Sequence, residues 1–388
     1  MKARTLFTII VFLAIYSAIA VYIGWNGWLL MSELTGWSAW PAYAIVVALI
    51  AFAYIIGRLG QSTPLRFLAE PAKLIGSYWL ALLQYGLLLL PITDAAALAL
   101  MLAGADRNVY VVGVGSVAAL LLLLILTVGT RNAWSPVIRR YDIAIEKSAG
   151  DRSRLTIAVA SDLHLGSVIG HRHLNRLIAK VSEIKPDIIL LPGDVLDDDL
   201  EPFVRKGMGA TFGKLKAPLG VYAVTGNHEY FGGKVPEYVN EMRKIGVHVL
   251  MDETVVIEDS FVLIGRKDKA SEGRSRDRRQ SIAELVEPLD ASKPLILLDH
   301  QPLELGEAEA SGIDLSLSGH THRGQMFPNH LITRRMFELD WGYKRKGKLH
   351  AIVSSGFGFW GPPVRTGSRS EVLHIEVSFL KTSAQRGS

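Results

Sequence analysis

Four long stretches without a charged side chain occupy the first third of this 388-residue sequence. Asp, Glu, Lys and Arg are missing from four ranges: Thr5–Ser32, Leu34–Gly57, Leu74–Thr93 and Asn108–Thr130. About 20 apolar residues let a helix cross a bilayer, and each range reaches that length. No such run recurs beyond Arg131. We therefore predict a transmembrane region over residues 1–131, with helices at 5–30, 38–57, 74–93 and 108–130, followed by a water-soluble domain.

The charges of the loops predict the orientation of these helices. Eight basic residues lie before the first span, between the second and third spans, and after the fourth: Lys2, Arg4, Arg58, Arg66, Lys73, Arg131, Arg139 and Arg140. The other two loops hold Glu33, Asp94, Asp106 and one basic residue, Arg107. Because basic loops stay in the cytoplasm, we expect a multi-pass protein of a bacterial-type inner (plasma) membrane. Both termini and the soluble domain would then be cytoplasmic.

One segment leaves this topology open. Ala95–Ala105 is apolar but only 11 residues long, too short to span a bilayer alone. It either extends the third helix beyond Pro91 or lies in the membrane interface, and a fifth span built from it would move the soluble domain outside. Few ionisable residues fall inside the spans, so we expect an anchor, with presentation of a lipid to the soluble domain as the alternative.

The composition limits the chemistry and the partners. Cysteine is absent, so neither a disulfide nor a thiolate contributes. The net charge is +5, and in a membrane protein such basicity fits contact with anionic lipid better than nucleic-acid binding. We therefore expect the lipid bilayer as a partner and no nucleic acid. The sequence does not determine an oligomeric state.

From Leu155 onward, short β-branched runs alternate with amphipathic segments, as is typical of an α/β domain with parallel strand pairing. Strands are predicted at 155–160, 187–191, 221–225, 294–298 and 313–317, helices near 171–185, 234–246, 279–288 and 302–310, and a hairpin over 255–265. We interpret 132–151 as a linker, 152–380 as a catalytic domain and 381–388 as a disordered tail.

Polar side chains follow five of the predicted strands. The five blocks are Asp162-Leu163-His164, Gly193-Asp194, Gly226-Asn227-His228-Glu229, Asp299-His300 and Gly319-His320-Thr321-His322. Ligands of open α/β folds bind beyond the carboxyl ends of strands, so we expect these blocks at one edge. Carboxylate and imidazole together suit Mn²⁺, Fe or Zn²⁺. The set is too large for one tetrahedral zinc, which predicts two divalent metal ions sharing a carboxylate.

Taken together, the five blocks resemble the signature of the calcineurin-like metallophosphoesterase superfamily, over roughly residues 152–378. The segments Gly319–Gln325 and Pro362–Arg365 resemble the bacterial membrane-associated branch of this superfamily. That branch often has glycine at the position of Arg323. That branch includes lipid and cell-envelope phosphoesterases, among them enzymes resembling UDP-diacylglucosamine pyrophosphohydrolases. The resemblance implies a four-layer α/β/β/α sandwich.

The resemblance also implies a role for each residue of the site. One metal would be held by Asp162, His164, Asp194 and His322, and the other by Asp194, Asn227, His300 and His320. His228 would be the catalytic residue beside the leaving group, and Glu229 and Asp299 would fix the orientation of ligands. Arg323 either contacts phosphate or makes a surface pair, and Arg365 either supports the ligands or contacts substrate.

The expected reaction is hydrolysis of a phosphate ester or pyrophosphate bond by a hydroxide held between the two metals, of which Mn²⁺ is favoured. The membrane anchor favours a phospholipid or lipid-linked nucleotide as substrate, although monoesters, diesters and pyrophosphates all fit. The alternatives are a cyclic-nucleotide or nucleic-acid phosphodiesterase of the same superfamily, a non-catalytic metal-binding scaffold, and a transporter with an accessory domain. The basic segment Arg266–Arg279 is interpreted as a mobile loop, either solvated or in contact with anionic lipid.

Overall fold

The structure, a computed structural model, describes residues 3–61, 63–64, 66–273 and 278–380. It divides into two compact units, one formed by the first 130 residues with 361–364, the other by the remaining residues. The expected tail at 381–388, and Arg274 and Arg276 of the basic segment, lie outside the described residues.

Four long apolar helices make up most of the first unit, and all are long and apolar enough to cross a membrane. They are α1 (Ala3–Thr35), α2 (Trp40–Gly60), α3 (Arg66–Leu102) and α4 (Val114–Trp134), with a π-helical turn at Asn108–Gly113 before α4. The ambiguous segment after Pro91 therefore extends the third helix as far as Leu102. Asp94, expected in a loop, lies inside that helix, where the Tyr22 hydroxyl donates a hydrogen bond to its carboxylate.

Small residues and aromatic rings determine how these helices pack. A Cβ atom at Gly76 would lie 2.0 Å from the backbone nitrogen of Tyr54, so α2 and α3 approach closely. Spanning helices commonly associate through small residues of this kind. The Trp28 ring lies 5.3 Å from that of Trp40 and 6.2 Å from that of Trp37. Clustered tryptophans are typical of the end of a span at the membrane interface.

Two six-stranded sheets form the second unit. The first contains β1 (Val137–Ser148), β2 (Arg154–Val159), β3 (Ile188–Pro192), β4 (Val221–Val224), β5 (Val247–Leu250) and β12 (Glu371–Leu380), in the order β1-β12-β2-β3-β4-β5. The second contains β6 (Glu253–Ile257), β7 (Phe261–Gly265), β8 (Leu295–Leu298), β9 (Leu315–Ser318), β10 (Gly342–Lys346) and β11 (Leu349–Val353), in the order β10-β11-β9-β8-β7-β6. Strands β2 to β5 pair in parallel, as do β7, β8, β9 and β11, so their carboxyl ends share an edge in each sheet.

Helices connect the strands of both sheets. They are α5 (His171–Ile184), α6 (Glu201–Arg205), α7 (Met208–Phe212), α8 (Asn227–Phe231), α9 (Val235–Lys244), α10 (Ile282–Val286), α11 (Leu305–Ala310) and α12 (His330–Met336). A core of buried side chains such as Ile157 and Ile296 lies between the sheets. Leu177 of α5 packs in a second core and Leu285 of α10 in a third. The expected four-layer α/β/β/α sandwich is confirmed.

The interpretation of residues 132–151 as a linker is wrong. Strand β1 lies within this range and pairs in parallel with β12, from Val137 beside Glu371 to Ile145 beside Phe379. Ile143 and Ile145 are buried in the core between the sheets. Strand β1 is an edge strand with one exposed face. Its residues alternate between buried or half-buried and exposed from Tyr141 to Glu146, which is the pattern of a half-buried strand, so the sequence does contain a signal that the interpretation as a linker missed. The catalytic unit therefore begins near Arg131.

Candidate metal centre

The five predicted blocks come together at the carboxyl ends of β2, β3, β4, β8 and β9. Asp162, His164 and His322 offer ligand atoms within 4.8 Å of one another. Asp194, His300 and His320 form a second such group, and the Asn227 Oδ1 lies 2.8 Å from the Nδ1 of His320. All of these side chains are buried except that of His320, which is partly exposed.

The contact between His300 and Asp194 calls for a cation. The His300 Nδ1–H donates to the Pro192 carbonyl at 2.7 Å, so Nε2 presents a lone pair. That atom lies 3.0 Å from a carboxylate oxygen of Asp194, and two acceptors at this distance must share a proton or a metal ion. Burial opposes a charge on His300, but Asp194 outweighs it and raises the pKa of His300 well above its ordinary value. A proton therefore fills this role when metal is absent.

A second close pair involves two imidazoles. The Nε2 atoms of His164 and His322 lie 3.1 Å apart. Arg365 donates to the Nδ1 of His322 at 2.9 Å, which places the ring proton of His322 on Nε2, between the two rings. Burial lowers the pKa of His164 to about 4, so its ring is neutral, as metal ligation requires. These two rings lie with the carboxylates of Asp162 and Asp194 in groups of imidazole and carboxylate donors, a donor set that fits divalent cations.

The backbone is strained at the same residues. Positive φ angles occur at Asp162 (54°), His164 (47°), Asp194 (51°), His320 (70°) and His322 (48°). Residues with side chains rarely adopt this left-handed region, and each instance costs roughly 1–3 kcal/mol. Such strain persists where the surrounding fold imposes it, typically at functional sites. It turns each side chain inward directly after its strand.

Glycines provide the space that these side chains need. A Cβ atom at Gly226 would lie 2.1 Å from the Asp194 Oδ1, and one at Gly319 would lie 2.3 Å from the Asp162 Oδ2. Both distances are far shorter than van der Waals contact. The glycines of the two blocks are therefore required by the close approach of the backbone to a carboxylate.

Glu229 holds two of the strand-end loops together. Its carboxylate accepts hydrogen bonds from the backbone nitrogens of Gly226 at 2.7 Å, Leu196 at 2.9 Å and Asp194 at 3.2 Å. Burial, followed by the charge of Asp194, raises the pKa of Glu229 to about 7. These bonds join the loop after β3 to the loop after β4.

Arg365 contacts the predicted ligand His322 through a hydrogen bond to its Nδ1. Its side chain is fully buried and donates to the carbonyls of Ser355 at 2.7 Å and Gly358, in addition to the bond with His322. Burial lowers the pKa of Arg365 to about 10, yet the group stays protonated at neutral pH. Of the two roles expected for Arg365, the structure favours positioning of His322 over contact with substrate.

His228 has a partner that sequence reasoning missed. The His228 Nδ1 lies 2.7 Å from the Asp198 Oδ1, and the His228 backbone N–H donates to Asp194 at 2.9 Å. Burial opposes a charge on the ring, but the bond to Asp198 and the charge of Asp194 raise the pKa of His228 to about 9. Asp198 lies in the acidic run Asp197–Asp199, which has the pattern of a solvated turn. Its position four residues after Asp194 is the only signal that the sequence offers.

Asp299 binds two arginines rather than a ligand imidazole. Both of its carboxylate oxygens lie 2.8 Å from the Arg279 Nη2, and the Arg266 Nη1 donates to it at 3.1 Å. Arg279 is 5% and Arg266 3% exposed. The interpretation of Arg266–Arg279 as a solvated mobile loop is therefore wrong at both ends, which are fixed by buried ion pairs.

We expect Arg279→Gln to lower the free energy of unfolding by about 1.5–3 kcal/mol, because the buried Asp299 carboxylate loses the hydrogen bonds from Arg279 and keeps only the one from Arg266. Urea unfolding of the full-length protein in detergent, followed by tryptophan fluorescence, measures this change. Arg278→Gln is the matched control: Arg278 pairs with Glu284 at the surface, and its loss should change stability by less than about 1 kcal/mol. Equal effects of the two substitutions would contradict the buried role of Arg279.

Arg323 contacts an aromatic ring. Its guanidinium carbon lies 3.9 Å from the centre of the Trp341 ring, a cation–π arrangement. The structure shows this contact in place of the surface pair that was one of the two roles expected for Arg323, and the phosphate contact stays a prediction.

Exposed apolar side chains border the metal centre. The Phe231 ring lies 5.6 Å and the Trp360 ring 6.3 Å from that of His228, and both are at least half exposed. Helix α12, which packs against the turn His322–Gly324, carries three more exposed apolar side chains: Leu331, Ile332 and Met336. We call these five residues the apolar rim. Soluble surfaces rarely cluster such residues unless they bind something apolar.

Known proteins share this domain. Residues 155–324 match the calcineurin-like phosphoesterase family. An uncharacterized metallophosphoesterase of Aquifex aeolicus is 35% identical over 245 residues, 62% of this chain and 91% of that protein. A "Transmembrane protein with metallophosphoesterase domain" of Danio rerio is 30% identical over 272 residues, 67% of this chain and 62% of that protein. An uncharacterized metallophosphoesterase of Helicobacter pylori is 32% identical over 244 residues, 62% of this chain and 64% of that protein.

This chain thus spans less than two thirds of the length of the Danio rerio and Helicobacter pylori relatives. It covers nearly all of the Aquifex aeolicus protein. The similarity along nearly the whole Aquifex aeolicus protein, the five intact sequence blocks and the four-layer sandwich all indicate the same family. The chain belongs to the calcineurin-like phosphoesterase family.

Proposed function

We propose that this protein is a membrane-anchored phosphoesterase that hydrolyses a phosphate ester or pyrophosphate bond at a two-metal centre. The observation that carries the proposal is the buried contact of His300 with Asp194 at 3.0 Å, where the facing nitrogen and oxygen must share a metal ion or, in its absence, a proton. In this proposal one metal is held by Asp162, His164, Asp194 and His322, and the other by Asp194, Asn227, His300 and His320. Carboxylate and imidazole ligands favour Mn²⁺, with Fe or Zn²⁺ as alternatives.

Two divalent cations at this position would lower the pKa of water and stabilise charge on phosphorus. The residues of the chain supply the remaining steps. His228 binds Asp198 through Nδ1, which leaves Nε2 to give a proton to the leaving oxygen. Glu229 and Arg365 keep the ligands in place, so little reorganisation is needed when substrate binds.

The apolar rim favours a lipid among the possible substrates. Trp360 and Phe231 lie beside His228, where the leaving group would depart. Arg334 and Arg335 follow Leu331 and Ile332 on α12, and a short helix with apolar and basic residues suits a membrane interface. The rim would therefore bind the apolar part of a phospholipid or lipid-linked nucleotide.

A substrate panel tests this proposal. Purified full-length protein with Mn²⁺ would be given a lipid phosphomonoester, a lipid phosphodiester, a lipid-linked pyrophosphate, a soluble aryl phosphodiester, a cyclic nucleotide and single-stranded DNA, and product release measured. We expect one of the lipid classes to give the highest kcat/KM. Preference for the cyclic nucleotide or DNA would support the alternative phosphodiesterase function and contradict the lipid assignment.

Leu331→Gln with Ile332→Gln should raise KM for the lipid by about tenfold, because each buried apolar side chain contributes roughly 1.5–3 kcal/mol when fully covered and less when partly covered. Hydrolysis of the soluble diester should stay unchanged, since neither residue belongs to the proposed metal centre. Val256→Gln, at an exposed apolar position on β6, is the matched control. Equal losses on lipid and soluble substrates would exclude a lipid-binding role for the rim.

We also propose that the catalytic domain is cytoplasmic. Eight Lys and Arg residues lie on the assigned inner side and one on the outer side, a bias that orients spanning helices. A reporter fused after Arg140 should be active as a cytoplasmic enzyme and inactive as a periplasmic one. The opposite pattern would show that the number of crossings before Arg140 is odd.

A further inference from the structure

A basic pocket lies on the second unit, formed by residues outside the candidate metal centre. Its volume is about 560 Å³, and its lining includes Arg172, Arg176, Lys206, His171 and Trp134. We call these five residues the basic pocket. Arg172 and Arg176 stand one turn apart on α5, so their side chains share one face of that helix. The pocket is large enough for a phosphate-bearing headgroup.

The charges of Arg172 and Arg176 are poorly compensated within the protein. Throughout the ranges that the structure describes, no carboxylate pairs with either of these two arginines. Like charges one turn apart repel each other, and burial, followed by the charge of Arg172, lowers the pKa of Arg176. The first turn of α5 contains His171 and Arg172 but no acidic residue, although that end of a helix favours negative charge. One bound anion would relieve all of these costs.

The walls of the basic pocket are fixed before any ligand arrives. The His171 Nε2–H donates to the Lys206 carbonyl at 2.7 Å. The Trp134 ring packs edge-on against His173 at 5.2 Å, and the Arg176 guanidinium lies 5.8 Å from the Trp134 ring. Binding would therefore require little ordering of His171, Trp134 and Arg176, which favours affinity.

The position of Trp134 indicates which kind of anion the basic pocket binds. It is the last residue of α4, the fourth apolar helix. Tryptophan at the end of a spanning helix lies at the level of the lipid headgroups, where basic side chains attract anionic lipids. We infer that the basic pocket binds the phosphate of an anionic phospholipid headgroup. This site is separate from the metal centre, and its occupancy does not depend on hydrolysis.

The test measures lipid binding by the full-length protein in detergent micelles. Phosphatidylglycerol, phosphatidylcholine or inorganic phosphate would be added, with retained lipid counted by native mass spectrometry and the unfolding midpoint recorded. We expect the wild type to retain phosphatidylglycerol and to unfold at a higher temperature with it, but not with phosphatidylcholine. Arg172→Gln with Arg176→Gln should weaken phosphatidylglycerol binding about thirtyfold, the effect of removing two cations from an anionic surface.

Two further variants make the outcome decisive. Arg172→Lys with Arg176→Lys keeps the charge and should retain most of the binding, which separates charge loss from misfolding. Arg243→Gln with Lys244→Gln removes two exposed cations from α9 and should bind like the wild type. Unchanged binding by the Arg172→Gln and Arg176→Gln variant would overturn the inference. A shift with inorganic phosphate as large as that with phosphatidylglycerol would overturn the lipid assignment and indicate a site for soluble anions.

Discussion

Asp194→Asn is expected to reduce hydrolysis by at least about 10³-fold, because the charge stabilisation that metal ions supply amounts to several kcal/mol. The substitution conserves size but removes the negative charge that faces His300 at 3.0 Å. One oxygen of Asp194 also accepts the backbone N–H of His228 at 2.9 Å. The amide can keep that second bond through its oxygen, so the fold should survive while metal affinity falls.

Product release and metal content of the purified variant check this expectation together. Asp314→Asn is the control, since Asp314 is a buried carboxylate of the same domain that pairs with Lys147 instead of a ligand. It should retain both metal ions and most of the rate. If Asp194→Asn kept the wild-type rate, the bridging role proposed for Asp194 would be excluded.

His228→Ala is expected to slow hydrolysis by about 10²–10⁴-fold while both metal ions stay bound, the usual contribution of a proton-transferring side chain. His228 differs from the proposed ligands because its Nδ1 binds Asp198 at 2.7 Å. Asp198→Asn should therefore also slow the reaction, by less than His228→Ala, since the ring remains but loses its orienting charge. Steady-state kinetics with metal analysis of each variant separates the chemical step from metal loss.

Added imidazole offers a control for His228→Ala, because it can enter the vacated space and restore part of the rate. A leaving group with a low pKa needs little protonation, so an activated aryl ester should be less affected than an alkyl ester. Loss of metal from His228→Ala, or equal losses with both esters, would contradict the proposed proton transfer.

The sequence predicted the parts of this protein that depend on local pattern. Uncharged runs of at least about 20 residues, long enough for a helix to cross a bilayer, predicted the four helices. Alternation of strands with helices predicted the sandwich. The blocks around Asp162, Asp194 and His320 were recognisable because each follows a buried strand. In the structure the predicted ligand residues do lie together.

The features that the sequence did not predict depend on contacts between distant residues. Strand β1 is recognised by its pairing with β12, more than 200 residues later. The sequence around Arg279 is typical of an exposed segment. Its ion pair with Asp299, which follows strand β8, becomes evident only in the structure. Asp198 can orient the ring of His228 only because α8 places the His228 Nδ1 2.7 Å from the Asp198 Oδ1. For Arg279 and Asp198 the local composition is polar, and only the tertiary structure brings each of them into contact with its partner.

Metal titration of the full-length protein tests the central claim most directly. Chelator-treated protein would be dialysed against increasing Mn²⁺, and bound ions per chain would be measured in parallel with product release from its best phosphate-ester substrate. We predict no hydrolysis without metal, and a rate that saturates as two ions bind per chain. Full activity in metal-free protein, or saturation with a single bound ion, would contradict the two-metal centre.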